Sequence, residues 1–209
     1  MSHQLLSIER PVRPDSPYRM WRQLCWLTDQ IVISGDLSSR SSKALEQLRT
    51  WEDAGITDVF DMRGECDDTH FIEENSSITS HWFGVDDNGT ARSDDWFVAF
   101  VETALEVLSD PNRKILVHCH MGVNRGPSAA YAILLALGWD HLDALRAIRT
   151  ARPIAGIIYA VDAVNWWMRD NGSSPAEVEE ASADVEAWLE RNPLDLHYVI
   201  GCIGNRIAV

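Results

Sequence analysis

His118-Cys119-His120-Met121-Gly122-Val123-Asn124-Arg125 sets a thiol and a guanidinium six positions apart, with a glycine between them. A cysteine attacks as its thiolate, a form favoured by nearby cations and by backbone N–H groups aimed at the sulfur. A guanidinium donates two parallel hydrogen bonds to a tetrahedral oxyanion, a geometry that an ammonium cannot copy. If the residues between them wrap an anion, the pair suits transfer of a phosphoryl group to sulfur. His118, Cys119 and His120 also read as a His-Cys-His metal cluster. No further ligand pair with suitable spacing accompanies them, and Cys25, Cys66, Cys119 and Cys202 follow no metal-ligand pattern, so no metal is expected.

Such a loop needs a strand before it and a helix after it. Lys114-Ile115-Leu116-Val117 is a short apolar run that predicts a buried strand, and Pro127 to Leu137 predicts a helix, with proline in its first turn and Gly138 at its stop. A strand-to-helix turn points several N–H groups inward and adds the helix dipole, which together make an anion nest. Gly122 then provides either close backbone approach to the anion or a positive φ. Around this unit, helices are expected over Ser41–Trp51, from Ser93 or Asp94 through Leu108, over Leu142–Ala151 and over Ala155–Arg169. Strands are expected over Ile56–Phe60 and Ile78–Val85, with Gly64–Ser77 a surface loop near the pocket. Most of the nine tryptophans are expected to pack the core. Asn171 to Pro175 is a break, after which Ser174, Pro175 and Glu177 form a capping-box start for a helix through Arg191. Leu194–Val209 is apolar and open between strand and helix.

The 118–125 run resembles the His-Cys-x5-Arg signature loop of cysteine-dependent protein tyrosine phosphatases. Its His-Cys-x-x-Gly-x-x-Arg form is most similar to the dual-specificity branch. Asp29 to Gly35 is similar to that family's opening hairpin and Gly55 to Arg63 to its second core strand, so the resemblance covers residues 21 to 170 or so. It implies an α/β fold: a mixed central β-sheet flanked by helices on both faces, the signature loop at the C-terminal end of its strand. The chain then divides into a polar N-terminal tail (1–20), a catalytic domain (21–171) and a C-terminal helical extension (172–209) with no assigned role.

The resemblance also implies roles. Cys119 is the nucleophile, and Arg125 binds phosphoryl oxygens in a loop formed by His120, Met121, Gly122, Val123, Asn124 and Arg125. His118 orders that loop and helps hold the thiolate. A general acid comes from an aspartate on an upstream loop. Asp86 and Asp87 both stand in that window, and counting from Trp96-Phe97 favours Asp87. Where the family carries Ser or Thr after the arginine, this chain has Gly126, and Ser128 is the nearest stand-in hydroxyl. Arg152 is either a contact for a second phosphate or an ordinary surface arginine. Cys66 is either a thiol that protects the nucleophile in a reversible disulfide or a plain loop thiol. No metal or organic cofactor is implied. The implied substrate is a phosphorylated protein or small phosphomonoester, with phosphotyrosine-type proteins first. Asn124 before Arg125 also resembles the RNA 5′-triphosphatase branch, and phosphoinositides are a further alternative, lowered by the absence of extra lysines in the loop. Gly126 keeps open a phosphate-binding pseudophosphatase without activity.

Bulk properties narrow the partners. The 209 residues suffice for one domain with a real core plus a modest extension. A net charge of −14 opposes binding to nucleic acid and to anionic lipid, so phosphate must be drawn by a local field. No apolar run of about 18 residues predicts a membrane span, and Met1 to Pro17 lacks the apolar centre of a secretion signal. A cytoplasmic location with reduced thiols is expected. Oligomeric state is not legible.

Overall fold

The computed structural model describes residues 21–204; the expected tail (1–20) and the last residues of the expected extension (205–209) lie outside them. Five strands, β1 (Cys25–Trp26), β2 (Ile31–Ser34), β3 (Asp58–Arg63), β4 (Thr79–Val85) and β5 (Ile115–His118), form one sheet in the order β1-β2-β5-β3-β4. β1 runs antiparallel to β2, and the other neighbours are parallel. Alternation along the strands sorts their side chains between two cores. Ile31, Ile33, Phe60, Met62, Ile115 and Val117 face one side, and Val32, Val59 and Leu116 face the other.

The second side is covered by α1 (Ser41–Asp53) and α2 (Thr69–Asn75), through Ala44, Leu48, Trp51 and Ile72. The first side carries α3 (Asp94–Leu108), α4 (Arg125–Ala136), α5 (His141–Ala151), α6 (Ala160–Asp170) and α7 (Pro175–Arg191). α4 is buried along nearly its whole length, as a helix must be when it lies centrally on a sheet and beneath other helices. α7 begins with the full capping box of Ser174 and Glu177, and it places Ala181, Val185 and Trp188 in the main core. α8 (Leu196–Gly204) adds Val199 and Cys202 to a small cluster with Trp21 and Ile154. Among the described residues, no helix is long and apolar enough to cross a membrane.

Three local expectations are corrected. The segment Gly64–Ser77 is not all loop, because α2 lies within it. Its sequence is polar and only Ile72 is fully buried, which leaves no apolar period to read. β3 runs past the Phe60 end of its apolar run to Arg63, where the family resemblance of Gly55 to Arg63 also put its end, because the polar pair Asp61 and Arg63 is buried as an ion pair at 2.7 Å. The helix expected from Ala155 begins only at Ala160. Residues 155–159 form a loop instead, in which Ile157 takes φ +55, a left-handed conformation rare for a β-branched residue.

Candidate active site

All four parallel strands end toward the same rim, where open α/β sheets bind ligands. Ser34 ends β2 and Asp36 follows it, Glu65 follows β3, Asp87 follows β4, and Cys119 follows β5. Cys119 is 2% exposed, and the chain turns from it into α4, whose first residue is Arg125. Asn124 stands at the N-cap, yet its side chain makes no capping bond. The first N–H groups of α4 are therefore left to an incoming anion. Gly122 has φ +59, and a Cβ there would collide with the Arg152 guanidinium and the Ser34 carbonyl. Both reasons for a glycine apply, but the close approach comes from behind the loop.

Arg152 explains that approach. It is fully buried, so neither a surface role nor contact with a second phosphate fits it. Its Nε donates to Gly122 O, and its Nη2 donates to Met121 O and Trp21 O at 2.9 Å each. Nη1 lies 3.3 Å from Cys25 Sγ. The side chain braces the back of the loop by satisfying carbonyls that would otherwise be buried without partners.

Arg125 faces the front. Nη1 and Nη2 form a two-pronged pair with the Glu65 carboxylate, and Nη1 also donates to Val85 O at 2.9 Å. Nε points toward Asp87 Oδ2 at 3.4 Å without a hydrogen bond. Burial works against the charge of Arg125, but the Glu65 bond and the nearby charges of Cys119, Glu65 and Asp87 raise its pKa above the ordinary value. Glu65 in turn is held down to about 2, chiefly by its bond to Arg125. Asp87 Oδ1 accepts from Asn124 Nδ2 at 2.6 Å and from Tyr159 Oη at 3.2 Å. Burial, aided by Asp87, raises the Tyr159 pKa, which keeps its hydroxyl a donor. Asp86 instead offers its backbone carbonyl to Arg92, at 3.1 Å.

The remaining candidates lie around this centre. His118 is fully buried, and burial lowers its pKa, so the ring is neutral near pH 7. Its nitrogens make no hydrogen bond among the described residues, and the Asp61 carboxylate stands 3.9 Å away. His120 turns to Asp36, with Nδ1 2.7 Å from Oδ2. The two histidines thus diverge, and among the described residues no group of three or more His, Cys, Asp and Glu side chains is arranged to hold a metal. A Cβ on Gly126 would press on the Cys119 backbone at 3.1 Å. Ser128 Oγ donates to Asn124 Oδ1 and accepts from Tyr159 N, both at 3.3 Å, so it serves that junction. Cys66 is exposed and bonded to Asp68, and partial burial with Asp68 nearby pushes its thiol up.

Sequence reasoning missed Glu65, Tyr159 and Asp36. Glu65 carried no signal beyond its place just after a strand. Tyr159 was hidden inside an expected helix.

The chain is similar over part of its length to several solved structures. Tk-PTP in its active form superposes with a TM-score of 0.58 at 19% identity, covering 77% of this chain and 99% of that one. PTPMT1 in complex with PI(5)P gives 0.52 at 15% identity, over 77% and 95%. Kinase-associated phosphatase with its catalytic-site cysteine changed to serine gives 0.54 at 16%, over 68% and 86%. No family model matches the sequence, and no curated protein matches it. The chain has the α/β fold of the tyrosine and dual-specificity phosphatases.

Proposed function

We propose that this protein hydrolyses phosphomonoesters through a phosphocysteine intermediate. The observation that carries this reading is the meeting of Asp87 and Arg125, 3.4 Å apart, at the front of the loop that starts from Cys119. Arg125 draws in the phosphoryl oxygens and stabilises them as charge redistributes in the transition state. The Cys119 thiolate attacks phosphorus and forms the S–P bond as the P–O bond to the leaving group breaks. The Asp87 carboxyl gives its proton to the departing oxygen. The Asp87 carboxylate then takes a proton from a water whose oxygen attacks phosphorus, the S–P bond breaks, and phosphate leaves with the thiolate restored. Neither step uses a metal or an organic cofactor.

The first substrate class is phosphorylated protein of the tyrosine or dual-specificity type. The likeness to the tyrosine and dual-specificity phosphatase structures supports this class. Arg152, turned inward, is not placed to take a second phosphate. The likeness to PTPMT1 bound to PI(5)P keeps phosphoinositides as the second reading.

The test is phosphate release from phosphotyrosine and phosphothreonine peptides, a phosphoinositide and a triphosphorylated RNA, with folded Cys119→Ser protein as the blank. A serine hydroxyl in this nest is protonated and weak, so turnover is expected to vanish. Retained turnover in the serine variant would overturn the cysteine mechanism, and absence of turnover on any substrate would leave a phosphate-binding protein without activity.

A further inference from the structure

We infer that Asn124 is the positioning residue for the proton donor: its amide fixes which oxygen of Asp87 carries the proton and where that oxygen points. The inference rests on Asp87 being the acid of the phosphatase reading above.

Asparagine is among the preferred N-cap residues because its side-chain oxygen accepts from the first turn of the helix. Asn124 occupies that position and does not do so. It is nearly buried, and both ends of its amide are committed elsewhere. Oδ1 accepts from Ile158 N at 2.7 Å and from Ser128 Oγ at 3.3 Å. Two donors on that atom identify it as the oxygen, so the NH₂ end must be the one facing Asp87, at 2.6 Å. Turning the amide over would set N–H against N–H at Ile158 and carbonyl against carboxylate at Asp87.

The consequence lies in Asp87. Its Oδ1 accepts from both Asn124 and Tyr159 and has little room for a proton of its own. The proton therefore sits on Oδ2, the oxygen on the Arg125 side, where the guanidinium would hold a phosphoryl group. Asn124 belongs to the nucleophile loop, so the acid is registered against the same backbone that binds the phosphate.

The frame behind Asn124 is built at some cost. Ile157 adopts a left-handed backbone that β-branched residues avoid, and strain of this kind persists only where surrounding contacts impose it. Here it delivers the Ile158 N–H to Asn124 and the Tyr159 hydroxyl to Asp87 from consecutive residues. Ser128, bonded to both Asn124 and Tyr159 N, closes the arrangement.

The experiment compares an aryl phosphate with a poor leaving group, phenyl phosphate, with one that needs no protonation, 2,4-dinitrophenyl phosphate. Asn124→Ala is expected to lower kcat on phenyl phosphate by about tenfold or more, part of what a general acid contributes, and to change the dinitrophenyl rate less than about twofold. Inhibition by inorganic phosphate should be unchanged, because the Asn124 side chain is committed to Asp87 and Ile158 N and only its backbone belongs to the nest. The double variant with Asp87→Asn should be no slower on phenyl phosphate than Asp87→Asn alone. Tyr159→Phe, which removes a single hydroxyl, should show the same selectivity at smaller size, and it decides the matter if Asn124→Ala does not fold. Equal slowing of both substrates, or a parallel loss of phosphate inhibition, would overturn the inference and leave the phosphatase reading intact. If Asp87→Asn itself shows no leaving-group selectivity while Cys119→Ser is dead, the acid assignment fails and the inference fails with it. Turnover surviving in Cys119→Ser would instead sink the phosphocysteine mechanism.

Discussion

Arg125 and Arg152 close on one loop from opposite sides, and their partners differ in kind. Behind the loop, Arg152 donates to three backbone carbonyls that belong to the fold itself. In front, Arg125 is held by the carboxylate of Glu65 and approached by that of Asp87, and its Nε makes no hydrogen bond among the described residues. Carbonyl partners are fixed once the chain folds. Carboxylate partners orient a guanidinium and still leave an N–H for a ligand. The back of the loop is therefore built for permanence and the front for exchange.

The contrast breaks first at Arg125. Arg125→Lys keeps the charge but loses the planar fork, and kcat on an aryl phosphate is expected to fall by about a thousandfold, with the unfolding midpoint in denaturant nearly unchanged. A large loss of stability would show that Arg125 also braces the fold. Arg152→Met should do the reverse. It strands the Met121, Gly122 and Trp21 carbonyls, each bond to a charged group being worth about 1.5–3 kcal/mol, so a loss of about 3 kcal/mol or more is expected in urea unfolding. A variant as stable as the wild type would remove the basis for calling the back permanent.

Glu65→Gln sharpens the comparison with the smallest effect. Folding lowers the Glu65 pKa from 4.5 to about 2, so its ion pair adds stability that is full above the unfolded value and drains away as pH falls through that window. The acid-side slope of stability between those two values should be shallower in Glu65→Gln. Because the Glu65 side chain is half exposed, solvent screens the pair and the difference is small. An unchanged slope would mean that Arg125 is oriented without Glu65.

Much of this was legible in the chain. Strand, turn and helix around Cys119 are neighbours in sequence, so apolar runs, Pro127 and Gly138 announce them, and the capping box at Ser174 announces α7 in the same way. Asp87, reached by counting back from Trp96-Phe97, lies at Arg125, whereas Asp86 engages Arg92 through its backbone. Arg152 was not legible. It closes an amphipathic helix that also carries Arg146 and Arg149, and its residue type does not say which arginine turns inward. Tyr159 was read into a helix because Ala155 to Tyr159 is apolar. In the structure Gly156 N goes to Val123 O, and Ile158 N goes to Asn124, so those N–H groups are not available to a helix.

The sequence by itself determined the loop from Cys119 to Arg125, since a strand end, a glycine and a helix start act over a few adjacent residues whatever the rest of the chain does. Tertiary structure alone decided what stands around that loop: Glu65 and Asp87 in front, Arg152 behind, and an asparagine that gives up its cap to bond Asp87. Those choices depend on which buried donors and acceptors are left over once the sheet has formed and its strands end at one rim. Such a residue of unsatisfied groups exists only in the folded molecule.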